Sequence, residues 1–215
     1  MKIPPVHGRI TANWTILIAA AAAALGLWLG ARWFSTAPIP QLPPLQSGML
    51  FPHPRNVPAF ELTRSDGGKL GDADWRGRWT LVFFGYTHCP DICPTTLAVF
   101  AQAWKKLDPA LRARLNFVFI SVDPARDTPE QLARYVGYFD KAFIAATGPD
   151  EVLTPLTRAL GLVYARGEST DANYPVDHSA SVVMIDPLGR EVGLLRPPFE
   201  PAKLLADLQA LARSR

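Results

Sequence analysis

Two apolar and aromatic runs, residues 79–86 (WTLVFFGY) and 115–122 (LNFVFISV), bracket a stretch in which Leu97, Phe100, Ala101, Trp104 and Leu107 recur at helical spacing. Short runs of this kind, bounded by glycine, proline and cysteine, read as buried strands. The resulting order of strand, helix, strand constrains the fold more than any other feature, because a buried sheet needs helices to cover it.

The pattern continues downstream. Thr128 and Gln131 suggest a capping box around Pro129, starting a helix through Leu132, Val136 and Phe139. Residues 143–147 read as a third strand and 150–160 as a third helix. Residues 181–185 and 191–195 flank the turn Asp186-Pro187-Leu188-Gly189 as a hairpin, and 201–212 close as a helix. The expected fold class is α/β, a central mixed β-sheet flanked by helices, over residues 57–215. An apolar share of 48% with 19% charged residues suits one globular core. The net charge of +3 is spread among acids, which argues against nucleic acid as a partner.

The N-terminus differs in kind. Residues 14–29 carry no charge. At about 1.5 Å rise per residue, 11–31 would match a hydrocarbon core of roughly 30 Å. The expectation is a flank at 1–10 and one transmembrane anchor at 11–34, with Trp14, Trp28, Trp33 and Phe34 near its ends. Lys2 and Arg9 precede the run and only Arg32 follows closely, which orients the N-terminus to the cytoplasm. The run exceeds the ~7 to 15 residues of a signal-peptide core, and no cysteine lies near it for lipid attachment. Pro38, Pro40, Pro43, Pro44, Pro52, Pro54 and Pro58 make 35–56 a semi-rigid polyproline spacer.

Cys89 and Cys93 are the only cysteines and stand four apart in YTHCPDICPTT, where a strand gives way to a helix. Unpaired amides and the helix dipole stabilise a thiolate there. If both lie on the first helical turn, they share a face. A structural disulfide, thiol–disulfide exchange and metal binding all use such a pair. A bridge closing so small a loop stabilises little, and exchange usually employs Cys-x-x-Cys. Two thiolates suit Cu(I), and an added imidazole extends the set to Cu(II).

Three blocks, GYTHCPDICPTTL at 85–97, SVDPARDTPE at 121–130 and VDHSASVVMIDPLG at 176–189, resemble the Sco/SenC family, which helps assemble the copper centre of cytochrome c oxidase. The resemblance covers roughly residues 58–212 and extends to the anchor-and-spacer layout. It implies a thioredoxin-like domain facing the periplasm or intermembrane space from an inner membrane. It also implies copper, Cu(I) or Cu(II), held by Cys89, Cys93 and His178.

The implied activity is a metallochaperone without turnover. Its partners would be the cytochrome oxidase subunit carrying the copper site, and another copper carrier or a thiol reductant. The rival is a thiol–disulfide reductase acting through Cys89 and Cys93. In the family Asp123 is associated with the copper site or a partner contact, so it is expected behind the ligands. Asp177 is expected either to orient the imidazole of His178 or only to solvate a loop. Asp127 and Thr128 read as helix caps, His88 as pointing elsewhere, and His7 and His53 as incidental. Tyr86 stands where peroxidases of this fold carry threonine, against that activity. Tyr135, Tyr138 and Phe139 read as core, and the isomer at Pro175 is not legible.

Overall fold

The computed structural model describes residues 10–33, 44–167 and 174–214. The flank at 1–9 and the spacer at 35–43 lie outside the described residues. The chain divides into two units, Met1–Ile39 and Pro40–Arg215.

In the first unit, α1 (Ile10–Trp33) has alanine at every position from 19 to 24. Alanine favours the helix but adds little apolar surface. Among the described residues no helix is long and apolar enough to cross a membrane, so the transmembrane anchor expected at 11–34 is not supported.

The second unit starts with β1 (Gly48–Asn56), β2 (Glu61–Arg64) and β3 (Lys69–Gly71), then a 3₁₀ turn at Asp72–Trp75. The alternation follows as β4 (Trp79–Gly85), α2 (Ile92–Lys106), the short α3 (Pro109–Arg112), β5 (Leu115–Ser121), α4 (Pro129–Phe139), β6 (Ile144–Thr147) and α5 (Asp150–Ala159). Last come β7 (Tyr164–Arg166), β8 (Val176–His178), β9 (Val182–Ile185), β10 (Arg190–Leu195) and α6 (Pro201–Arg213).

Among the described residues, eight strands form one sheet in the order β1-β10-β9-β4-β5-β6-β2-β3, while β7 and β8 pair separately. β4, β5 and β6 run parallel, and β9 lies antiparallel to β4. The sheet is therefore mixed, as expected. Every residue of β4 is buried, which requires cover on both faces. α2 packs against α4 and α6. Phe100 and Phe143 stack on Phe117 at centroid distances of 4.9 and 4.4 Å, filling the space between β5 and α2.

Several expectations need correction. Residues 48–56 of the supposed spacer are sheet, because β1 pairs with β10 from Gly48↔Leu195 to Asn56↔Arg190 with an irregularity between. Asp207 on α6 also accepts the amides of Gln46 and Ser47 at 2.9 and 2.7 Å, tying this segment to the body. Prolines suit such a strand because it is an edge. Sequence reading missed β2, β3, β7 and β8, each only three or four residues long. Thr128 does cap α4 by accepting from Gln131 N at 3.3 Å, but the Gln131 side chain turns away to Thr87 Oγ1. Of the aromatic trio, Tyr135 and Phe139 pack on the core, whereas Tyr138 is 85% exposed.

Candidate metal centre

β4 ends at Gly85, and the turn from Tyr86 to Asp91 delivers the chain to α2. Cys89 lies in that turn and only Cys93 lies on the helix, so the two do not share a helical turn as expected. Cys93 is fully buried against β4. A Cβ on Gly85 would stand 2.6 Å from the Cys93 sulfur, so glycine makes room for it. Cys89 is buried too but keeps 9% exposure.

His178 comes from β8, 85 residues beyond Cys93, and its Nε2 lies 3.3 Å from Cys93 Sγ. Nδ1 faces the carbonyl oxygen of Ser179 at 3.2 Å. A carbonyl only accepts, so Nδ1 donates to it, and Nε2 faces the sulfur of Cys93. The rings of Tyr86 and Phe83 meet the imidazole edge-on or nearly so, at 5.8 and 6.0 Å.

The donor atoms of Cys89, Cys93 and His178 all lie within 4.8 Å of one another. Donors about 2.0–2.3 Å from one ion stand about 3.5–4 Å apart in a trigonal set, so the cluster fits a metal with little movement. Both cysteines are free thiols. The hydrogen bond from Cys93 draws Cys89 down to about 4, against the opposing effect of burial. The same hydrogen bond, with burial, pushes the Cys93 thiol up. The hydrogen bond between the sulfurs thus biases Cys89 towards the thiolate and Cys93 towards the thiol.

The supporting residues differ from expectation. Asp177 is exposed, and the Ser179 carbonyl does the orienting assigned to it. Asp123 is fully buried but contacts the histidine hairpin rather than the donors: it accepts from Tyr174 Oη at 2.6 Å and pairs with Arg126.

The residue that sequence reading missed is Asp127, read as a cap. It is buried and accepts from Thr87 N at 2.9 Å, Thr87 Oγ1 at 2.6 Å and Ser121 Oγ at 2.5 Å. It therefore clamps the turn that carries Cys89. The signal available was its place in the SVDPARDTPE block beside a strand end. His88 lies outside the donor cluster, with Nδ1 3.7 Å from Asp127 Oδ1. Among the described residues the cis peptide is Pro197-Pro198, not the bond before Pro175.

A sequence profile of the SCO1/SenC family matches residues 52–213. A Stutzerimonas stutzeri protein with a provisional copper-binding name is 39% identical over 152 residues, 71% of this chain and 74% of that one. The human mitochondrial SCO1 homolog is 38% identical over 132 residues, 60% of this chain and 44% of its own, so the chain spans less than half of that relative. Bradyrhizobium japonicum ScoI, solved with copper bound, is 31% identical with a TM-score of 0.65, covering 73% of this chain and 99% of that one. The thioredoxin-like α/β fold is thus shared.

Proposed function

The chain belongs to the SCO1/SenC family, and from that premise we propose that it is a copper chaperone, carrying one ion on Cys89, Cys93 and His178 for the copper centre of cytochrome c oxidase. The observation that carries this reading is the meeting of two thiols and one imidazole within 4.8 Å. Copper is the cargo, and two sulfurs with one nitrogen suit both Cu(I) and Cu(II).

The protonation pattern supports capture. Cys89 is biased towards the thiolate and His178 presents Nε2 to the sulfurs, while the Cys93 proton leaves for solvent as the ion binds. Release follows exposure. His178 is half-buried, Cys89 keeps a slight exposure and Cys93 has none, so ligands of the accepting subunit replace His178 first and Cys93 last.

Another copper carrier supplies the ion, and a thiol reductant keeps the pair reduced in an oxidising compartment. Attachment to the inner membrane through α1, with the domain in the periplasm or intermembrane space, belongs to the same reading. Its support is the uncharged run at 14–29, with Ile16, Leu17, Ile18, Leu25, Leu27, Trp28 and Leu29 exposed on a helix free of acidic residues.

Titration of the reduced full chain tests the proposal. One copper per chain and a thiolate-to-Cu(II) charge-transfer band are expected. Cys89→Ser and Cys93→Ser abolish the band. His178→Ala weakens Cu(II) binding by at least about 100-fold, beyond what loss of a ligand's supporting partner costs, yet spares disulfide exchange. A redox-active chain that takes up no copper would replace the chaperone with the reductase.

A further inference from the structure

A hairpin with three residues per strand does not hold its own shape in water. The place of His178 therefore depends on what ties β7 and β8 to the rest of the domain. The apolar ties are buried Val176, whose N–H reaches Tyr86 Oη at 3.4 Å, the rings of Tyr164 and Tyr174 packed on the core, and the imidazole against Phe83 and Tyr86. The remaining ties are polar and run through three side chains, Arg166, Tyr164 and Tyr174.

Arg166, the last residue of β7, donates from Nε to the Val122 carbonyl at 3.1 Å, just past the end of β5. Its fork also grips Asp150, the first residue of α5, with Nη1 to Oδ2 at 2.6 Å and Nη2 to Oδ1 at 2.8 Å. Tyr164 donates to the same carboxylate at 2.7 Å, and it faces His178 across the hairpin register. On the other strand's approach, Tyr174 donates to buried Asp123 at 2.6 Å, with the Arg126 guanidinium 3.7 Å above its ring. Neither Arg166 nor Tyr174 belongs to the donor cluster.

We propose that Arg166 and Tyr174 are positioning residues for His178: they lock the hairpin to the ends of β5 and α5 at the separation that brings the imidazole to the two sulfurs. This rests on the copper reading above. Asp150 is 48% and Arg166 25% exposed, so their ion pair adds little to overall stability. Bidentate geometry nevertheless fixes direction well. Losing it changes where the hairpin sits far more than whether the domain folds.

The test uses the full chain with Arg166→Gln and Tyr174→Phe, each in the parent and in a His178→Ala background. In the parent, each change speeds Cu(II) dissociation about 10-fold, the usual order for a ligand's supporting partner. The charge-transfer band shifts, and for Arg166→Gln the melting temperature stays within about 3 °C. With His178→Ala in place, the same changes move dissociation by less than about twofold, because there is no imidazole left to position.

An equal fold-change in both backgrounds would overturn the proposal, since the residues would then act on the sulfurs or the fold. So would an unchanged rate in the parent while His178→Ala is strongly impaired, a result that leaves the copper reading standing. Unchanged binding by His178→Ala alone would remove the ligand set and this proposal together.

Discussion

Cys93 sits on the first turn of a 15-residue helix, against a strand whose every residue is buried, whereas His178 ends a three-residue strand held largely by polar contacts. The first environment is apolar and close-packed, so a displaced sulfur would cost contacts on all sides. The second is a set of hydrogen bonds that water can replace at modest net cost. The contrast suits a carrier. In the proposed carrier the cysteine arm is the one that keeps hold, since local opening is drawn from the weakly packed end of a fold.

Hydrogen exchange on the copper-free chain gives the widest separation between the two arms. The Ser179 amide, bonded to the Val163 carbonyl at 3.1 Å, opens with the hairpin. Amides within β4 open only with the whole domain, typically about 5–15 kcal/mol. Exchange at least about 1,000-fold faster at Ser179 than at Val82 is expected. Equal protection would abolish the distinction.

Glycine substitutions sharpen it on a smaller scale. An Ala Cβ at Gly85 meets the Cys93 sulfur at 2.6 Å and the Phe119 ring at 2.9 Å, where nothing can move freely. Gly85→Ala should destabilise by about 1–3 kcal/mol. At Gly167 on the hairpin the nearest atom is Pro175 Cδ at 3.1 Å, and both residues are exposed. Denaturant melts should show Gly167→Ala costing under about 0.5 kcal/mol. Similar losses at both sites would mean that the hairpin is packed as tightly as the cysteine arm.

The smallest effect expected is a flat line. With Cys89 drawn down to about 4, deprotonation is complete well below neutrality. Alkylation by iodoacetamide should therefore hold one rate from about pH 6 to 8, where an ordinary thiol near 8.5 accelerates almost tenfold per unit. The low pKa also lowers nucleophilicity, so the diagnostic is the slope and not the rate. A rate that climbs with pH would show that the shared proton does not reside on Cys93.

The long elements were legible because each carries its own periodicity. Residues 79–86 and 115–122 became β4 and β5, and Thr128 with Pro129 marked the start of α4, each to within a residue or two. β7 and β8 were not, since three residues carry no period and gain their pairing only from each other. Gly48–Asn56 was misread because its prolines resemble a tether until β10 lies alongside. Asp127 was misread for a related reason. Its position before Thr128 suggests a cap, and only the folded chain brings Thr87 to it across 40 residues.

From residues alone came the α/β alternation and the thiol pair at a strand-to-helix junction, with the likeness of three blocks to a copper-handling family singling out His178. These are local patterns, set by side-chain size, spacing and chemistry along a few turns of chain. Tertiary structure decided which groups meet. The imidazole lies 3.3 Å from a sulfur 85 residues away, Asp127 holds the cysteine turn, and Arg166 with Tyr174 holds the hairpin. Such contacts follow from how the sheet stacks its strands and where its loops end, which no short stretch of sequence encodes.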